Sequence, residues 1–121
     1  MDACAELERQ LGGHKVRRSE PLADHTTFRI GGPADLLCLP ETVDELRGLV
    51  EWVTARSIPW IVLGNGSNVL FSDAGFRGVV IKIQGHGVVP GTLWSIRQEG
   101  LHVQAGAGIS LARLAWFCAS V

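Results

Sequence analysis

Hydrophobic residues at helical spacing open the chain. Cys4, Leu7 and Leu11 would share one face of a helix over residues 2–11, and the two glycines that follow would end it. Residues 14–26 are polar, contain one proline and have no regular apolar pattern. We expect them to form a connecting arm.

Short apolar segments alternate with turn residues in the next part of the chain. A Gly-Gly-Pro turn at 31–33 separates two predicted extended segments, 28–30 and 34–39. The all-apolar segment 60–63 is typical of a strand buried on both faces of a sheet.

The most regular helix pattern lies between these segments. Thr42 and Glu45 have the spacing of a capping box, in which each side chain satisfies a backbone N–H group at the helix start. Residues 57–59 would end the helix, because the residue before a proline avoids the helical conformation. The apolar stripe consists of Val43, Leu46, Leu49, Val50 and Val53. Strand, helix and strand together predict a β-α-β unit.

The C-terminal third of the sequence has a different pattern of apolar residues and turns. Glycine-rich turns separate three predicted strands, 79–83, 93–97 and 101–105, and the last alternates apolar and polar residues as a half-buried antiparallel strand does. Ser110 is a predicted N-cap for a final helix. Its apolar positions are Leu111, Leu114, Ala115 and Cys118.

Composition narrows the class of protein. Of the 121 residues, 46% are hydrophobic and 19% are charged, which is ordinary for a globular domain and argues against intrinsic disorder. A net charge of -1 gives no support to nucleic-acid binding, which normally requires a basic excess. The three cysteines have neither the number nor the spacing of a disulfide framework or a zinc site. Without a signal segment or a membrane span, we expect a cytoplasmic protein.

The sharpest candidate site is the segment Gly64-Asn65-Gly66-Ser67-Asn68, directly after the predicted strand 60–63. Its two glycines let the backbone turn tightly and approach a ligand closely. Successive N–H groups in such a turn form a concave site for phosphate oxygens, and Ser67 and Asn68 add neutral donors. The segment therefore suits a diphosphate. A plain glycine turn at the end of a strand is the competing interpretation.

Sequence context excludes a dinucleotide fingerprint of the doubly wound type. That motif requires a third glycine and a helix that begins within it. Val69 stands at the third position, and residues 69–76 have no helical periodicity.

The remaining polar residues form no catalytic constellation. The histidines are scattered without metal-ligand spacing, and we interpret each as a solvent-facing or sheet-face residue: His14, His25, His86 and His102. Ser110 lacks the glycines of a nucleophile elbow. We assign no catalytic residue and no metal ligand.

Four motifs in the same order nevertheless resemble one enzyme family. They lie at 25–35 (HTTFRIGGPAD), 63–70 (LGNGSNVL), 75–81 (GFRGVVI) and 103–108 (VQAGAG). Their order and spacing are similar to those of the UDP-N-acetylenolpyruvoylglucosamine reductases, the MurB flavoenzymes of bacterial peptidoglycan synthesis. The resemblance extends from about Thr27 to the end of the chain.

The resemblance implies an α+β fold, namely a truncated FAD-binding domain of the vanillyl-alcohol-oxidase or PCMH type. Its parts would be an N-terminal helix and arm at 1–26, a β-α-β lobe at 27–84 and the start of a mostly antiparallel β lobe at 85–121. The flavin would lie between the lobes. Its diphosphate would rest on Gly64, Asn65, Gly66, Ser67 and Asn68.

The resemblance also implies a reaction, in which NADPH reduces FAD and the reduced flavin delivers a hydride to the enolpyruvyl group of a nucleotide sugar. The family's catalytic serine, arginine and glutamate lie beyond the matched segments, as does the substrate domain. We therefore expect little turnover from this chain alone, a weakened flavin site and self-association through an exposed strand edge. The alternative is a non-catalytic flavin-binding or interaction module.

Overall fold

A computed structural model describes residues 3–64, 69–83 and 89–120. Its elements in chain order are α1 (Ala3–Leu11), β1 (Val16–Pro21), β2 (Pro33–Cys38), α2 (Val43–Ala55), β3 (Trp60–Leu63), β4 (Phe76–Lys82), β5 (Ile96–Glu99), β6 (His102–Ala105) and α3 (Leu111–Ala119). Two short 3₁₀ helices, Gly13–Lys15 and Leu22–His25, flank β1. The expected α+β class is confirmed.

A mixed four-stranded sheet in the order β1-β2-β4-β3 organises the fold. β1 is antiparallel to β2, whereas β2, β4 and β3 are mutually parallel. The predicted β-α-β unit is confirmed, with α2 connecting β2 to β3 and β4 inserted between them. The carboxyl ends of the three parallel strands therefore lie at one edge, where open α/β sheets commonly bind ligands.

The two helices α1 and α2 cover one face of this sheet. Each side chain fully buried there stabilises the fold by roughly 1.5–3 kcal/mol relative to an exposed position. Arg56, which follows α2, donates to both carboxylate oxygens of Glu6 in α1 at 2.9 Å and so joins the helices at their outer side. The core of this face includes Cys4, Leu7, Leu11, Cys38, Leu49, Trp52, Val53, Val79 and Ile81.

A second core covers the opposite face without any α-helix. It consists of Leu22, Ala34, Leu37, Leu63 and Val80. Val69 and Phe71, from the connection between β3 and β4, pack against it. The chain therefore returns from the end of β3 to the start of β4 across this face of the sheet.

The start of α2 is fixed as the capping pattern predicts, with one addition. Thr42 Oγ1 accepts from the Glu45 N–H at 3.1 Å, and the Glu45 carboxylate, which interacts with the Thr42 N–H, also accepts from the Glu41 N–H at 2.9 Å. Lys15 Nζ lies 2.7 Å from Glu45 Oε2 and joins the start of α2 to the 3₁₀ helix that precedes β1. Burial alone would raise the pKa of Glu45, but the hydrogen bonds from Lys15 and the backbone hold it below its usual value.

The prediction of an arm at 14–26 is wrong, because these residues contain β1 and both 3₁₀ helices. Only Val16 of β1 is buried, so the strand has no alternating apolar pattern by which to recognise it. β1 is an edge strand that backbone pairing with β2 holds in place. The predicted extended segment 28–30 is also not a strand; Arg29 has a positive φ of 55° there.

β3 is not buried on both faces, as its apolar sequence predicted. It lies at the edge of the sheet, and the side chain of Val62 is 51% exposed. The central position belongs to β4, whose Val79, Val80 and Ile81 are buried. β4 also begins earlier than the predicted 79–83. An edge strand and a central strand of similar composition are distinguished only by their partners.

Side-chain burial on the helices differs in part from the predicted stripes. Val43 is exposed, whereas Trp52 of α2 is buried. Ser110 caps α3 as predicted, its Oγ accepting from the Arg113 N–H at 3.2 Å, but no side chain of α3 is buried among the described residues. No helix in the described parts of the chain is long and apolar enough to cross a membrane.

The C-terminal strands β5 and β6 pair antiparallel, as the alternation in the second strand predicted. β5 begins at Ile96, later than expected, because Leu93 enters the main core and its N–H donates to Glu41 O at 2.7 Å. Backbone hydrogen bonds from Gly106 to Ser95 and from Gly108 to Leu93 complete the attachment. The division into lobes at 27–84 and 85–121 after residues 1–26 stays a prediction.

A close backbone contact anchors the connection between β3 and β4. The Gly32 N–H donates to Ser72 O at 2.9 Å, and a Cβ on Gly32 would lie 2.1 Å from Asp73 O. Gly75 has a φ of +86°, and a Cβ there would lie 2.0 Å from Pro33 O. Both positions require glycine because backbone atoms occupy the space of a side chain.

Arg77 reinforces this contact with hydrogen bonds on its solvent-exposed side. Its Nη2 donates to Pro33 O at 2.7 Å and to Ala74 O at 3.1 Å, and its Nη1 lies 3.2 Å from Asp35 Oδ1. The Gly-Gly-Pro turn predicted at 31–33 therefore serves as the support on which the β3–β4 connection rests.

Gly32→Ala tests this contact. The added methyl group would overlap Asp73 O and force the backbones apart, so we expect a loss of about 1–3 kcal/mol or more in the free energy of unfolding, measured in urea. Gly13→Ala is the control, because no described atom lies within 4 Å of a Cβ at Gly13. It should change the free energy by less than about 0.5 kcal/mol. Equal stability of the two variants would show that the segments are not in contact.

Candidate functional site

The predicted diphosphate segment begins at the carboxyl edge of the sheet. Gly64 follows the last residue of β3 directly and is exposed. No described atom lies within 4 Å of the place where a Cβ on Gly64 would stand. Asn65, Gly66, Ser67 and Asn68 lie outside the described residues, so the site they would form stays a prediction.

Strand pairing extends up to this edge. Leu63 pairs with Lys82 of β4, and Leu63 O accepts from the Ile83 N–H at 3.1 Å. Residues opposite each other on paired strands project to the same face of a sheet. Lys82 therefore lies on the face of Leu63 and Val80, the one covered by the returning connection.

A polar cluster that the sequence patterns did not predict occupies this face. His25 is only 8% exposed, with Nε2 3.0 Å from Glu20 Oε2 and Nδ1 3.0 Å from Lys82 Nζ. An ammonium group can only donate, so Nδ1 is the acceptor. The partners thus assign the proton of neutral His25 to Nε2, from which it is donated to Glu20.

The positive and negative charges in this cluster do not cancel. Arg17 Nη1 donates to Glu20 Oε2 at 3.0 Å, so one carboxylate serves both Arg17 and His25. Burial alone would raise the pKa of Glu20, but these two hydrogen bonds hold it below its usual value. Burial lowers the pKa of Lys82 and the positive charge of Arg17 lowers it further, while the negative charge of Glu20 opposes both in part. With His25 neutral, the cluster carries one surplus positive charge.

Long-range pairing explains why these residues were missed. His25 and Lys82 are 57 positions apart, and Glu20 lies in the segment predicted to be an arm. A signal was nevertheless present in the sequence. Once β4 is recognised as a strand, its alternation places Lys82 on the same face as Val80 and marks a cation on an otherwise apolar surface.

Exposed apolar side chains lie on the segments that cover this face. Phe28, Ile30 and Leu70 are large, hydrophobic and exposed. A Cβ on Gly31 would lie 3.0 Å from the Phe71 Cβ, so the stretches that carry Ile30 and Leu70 are in contact. Large exposed apolar side chains on contacting segments are candidates for contact with an apolar part of a ligand, such as a ring system.

A metal site and a nucleophilic cysteine find less support in the described residues. No group of three or more His, Cys, Asp or Glu side chains there is arranged to hold a metal ion. Burial, with the neighbouring Cys4 thiol, raises the pKa of Cys38 to about 12, which excludes that residue as a nucleophile at neutral pH. An unobstructed Gly64 backbone and exposed apolar side chains are compatible with a nucleotide that has a diphosphate and a ring system, and FAD contains both.

Comparisons with known proteins agree with this class of ligand. UDP-N-acetylenolpyruvoylglucosamine reductase of Bacillus subtilis (strain 168) is 45% identical over 108 residues, which cover 89% of this chain and 33% of that protein. The protein of the same name from Desulforamulus reducens is 42% identical over 114 residues, or 94% of this chain and 35% of that protein. The chain thus spans about a third of the length of these curated relatives.

These matches confirm the resemblance that the four motifs indicated. A family model described as "FAD binding domain" matches residues 34–120, from β2 to the end of α3. That range includes both β3 and the segment after it, together with the strands that form the sheet edge. Because the match covers well over half of the sequence, this chain belongs to the FAD binding domain family.

Proposed function

We propose that this chain is the FAD-binding part of a UDP-N-acetylenolpyruvoylglucosamine reductase. The reaction would be the NADPH-dependent reduction of the enolpyruvyl group to UDP-N-acetylmuramate in peptidoglycan synthesis. The match of residues 34–120 to the FAD binding domain carries the proposal. The names of relatives more than 40% identical over about nine tenths of the chain support the choice of reductase.

In this proposal, the main-chain N–H groups of Gly64, Asn65, Gly66, Ser67 and Asn68 hold the diphosphate of FAD. The position of Gly64 at the carboxyl edge of the sheet supports that assignment. Phe28, Ile30 and Leu70 would line the nearby apolar surface. When bound, FAD supplies the redox chemistry, while the protein binds and orients it.

No residue of this chain receives a catalytic role in the proposal. Substrate binding and proton donation would belong to the two thirds of the relatives' length that the chain does not match. A cytoplasmic location is part of the proposal. The exposed thiol of Cys118 supports it, because a reducing compartment keeps such a thiol reduced.

FAD binding can be tested with two glycine variants. A methyl group at Gly64 has room in the fold but would stand where the diphosphate approaches the backbone. We expect Gly64→Ala to keep the thermal stability of the wild type and to weaken FAD binding at least tenfold, which corresponds to about 1.4 kcal/mol. Titration of apo-protein by flavin fluorescence measures the affinity.

Gly13→Ala is the matched control, with the same added methyl group in open space far along the chain from the site. It should bind FAD like the wild type. Unchanged FAD affinity in Gly64→Ala would contradict the assignment of the diphosphate to this segment. Absence of FAD binding by the wild type would contradict the proposed function itself.

Turnover by the isolated chain gives a further prediction. We expect the purified 121-residue protein, supplied with FAD, NADPH and the enolpyruvyl substrate, to oxidise NADPH no faster than free FAD does. The reason is that the proposal places the substrate site and the proton donor elsewhere. Absorbance at the NADPH band measures the rate, with a full-length relative as the positive control. Formation of UDP-N-acetylmuramate by the chain alone would contradict this prediction.

The second candidate function is that of an interaction module, and the exposed apolar surface of α3 favours it. Leu111 and Trp116 are 81% and 78% exposed. An open cavity of about 430 Å³ separates α3 from β5 and is lined by Ile96, Arg113, Trp116, Phe117 and Ser120. The two-stranded sheet β5-β6 also presents strand edges. We propose that copies of the chain associate through this region.

Trp116→Ser tests self-association. We expect the wild type to sediment as a concentration-dependent mixture of monomer and larger species, and the variant to shift toward monomer because it loses apolar contact area. Val43→Ser removes an exposed apolar side chain from α2 and should leave the distribution unchanged. A wild type that is monomeric at every concentration would contradict the association.

A further inference from the structure

Lys82 lies at the end of β4, opposite the last residue of the strand that leads into the predicted diphosphate segment. It ends β4 and pairs with Leu63, the residue immediately before Gly64. Its side chain lies on the face of the sheet that the returning connection covers. A cation is therefore placed at the carboxyl edge, one strand away from the start of the segment that would receive the cofactor.

No carboxylate contacts the ammonium group of Lys82 directly. Among residues 3–64, 69–83 and 89–120, its hydrogen-bond partner is His25 Nδ1, and no carboxylate forms an ion pair with it. Glu20 is shared between Arg17 and His25, and its negative charge acts on Lys82 only at longer range, where it opposes the lowering of the Lys82 pKa. A half-buried ammonium group without a carboxylate in contact has lost part of its hydration, and burial accordingly lowers the pKa of Lys82. A bound anion would compensate for that loss.

His25 and Glu20 restrict the position of the ammonium group. Glu20 accepts the Nε2 proton of His25, which leaves Nδ1 as a fixed acceptor for one N–H of Lys82. An ammonium group has three N–H donors, so two remain for a ligand. A lysine held in this way is a preorganised donor, which loses little side-chain freedom when the anion binds.

We propose that Lys82 binds the diphosphate of FAD, and that His25 and Glu20 are positioning residues for its ammonium group. The inference rests on the proposed function, since it requires the cofactor's diphosphate at residues 64–68. It adds a point charge to a site for which the sequence indicated backbone dipoles and neutral side chains alone. The ligand chemistry recognised is an anionic diphosphate, not the flavin ring.

Lys82→Met tests this assignment, because methionine keeps much of the side-chain volume and removes the charge. A charge-assisted hydrogen bond predicts that FAD and ADP bind about 10- to 100-fold more weakly to the variant than to the wild type. Riboflavin lacks phosphate and should bind both proteins equally. Calorimetric or fluorescence titration measures the three affinities, and a thermal melt compares the folds.

Two further variants serve as controls. Arg47→Met also removes one positive charge, but from the exposed surface of α2, and should leave the affinity for FAD unchanged. Lys82→Arg keeps the charge and should retain most of the affinity that Lys82→Met loses. Equal FAD affinity in Lys82→Met and the wild type would overturn the inference and leave the proposed function standing. A wild type that binds no FAD would overturn both.

The wild-type chain permits a second measurement that does not depend on the folding of a variant. Lys15 and Lys82 are its two lysines, and biosynthetic labelling with ¹³Cε-lysine reports on both without changing their charge or their N–H donors. Addition of ADP should shift the resonance of Lys82 and leave that of Lys15, which is paired with Glu45. A Lys82 resonance that does not move at saturating ADP would overturn the inference.

Discussion

The contact between the turn at 31–33 and the segment 72–75 fixes the path by which the chain returns from β3 to β4. The chain leaves β3 at the carboxyl edge of the sheet and must return to the amino end of β4, its parallel neighbour. Backbone atoms meet where Gly32 and Gly75 leave no room for a side chain, and Val69 and Phe71 pack on the core below. Leu63, just before the predicted diphosphate segment, is paired in the sheet, and Val69, just after it, packs on the same core.

The two faces of the sheet differ in how fully their apolar side chains and charges are satisfied within the fold. On the helical face, α1 and α2 bury an apolar core, and the charges of Lys15 and Glu45 satisfy each other. On the opposite face, short segments cover a smaller core, apolar side chains remain exposed, and Lys82 forms no ion pair within contact distance among the described residues. Exposed apolar side chains and a cation without a carboxylate in contact are features expected of a ligand site.

Local patterns in the sequence predicted the elements whose stability is local. The capping residues Thr42 and Ser110 indicated the starts of α2 and α3, and the alternation at 101–105 indicated an antiparallel strand. Features that depend on distant partners were missed. The apolar sequence of 60–63 carries no information that β4 would take the central position, and the polar sequence of β1 carries none that β2 would pair with it. The Glu20–His25–Lys82 cluster was missed for the same reason.

The central claim is that backbone N–H groups at 64–68 receive the diphosphate of FAD. Amide ¹H–¹⁵N spectra of the wild-type chain test it most directly, because each amide reports its own hydrogen bond. Saturation with FAD or ADP is predicted to shift the amide resonances of Gly64 through Asn68, whereas riboflavin should leave them in place. Resonances in this segment that stay unchanged at saturating FAD, while others move, would contradict the account.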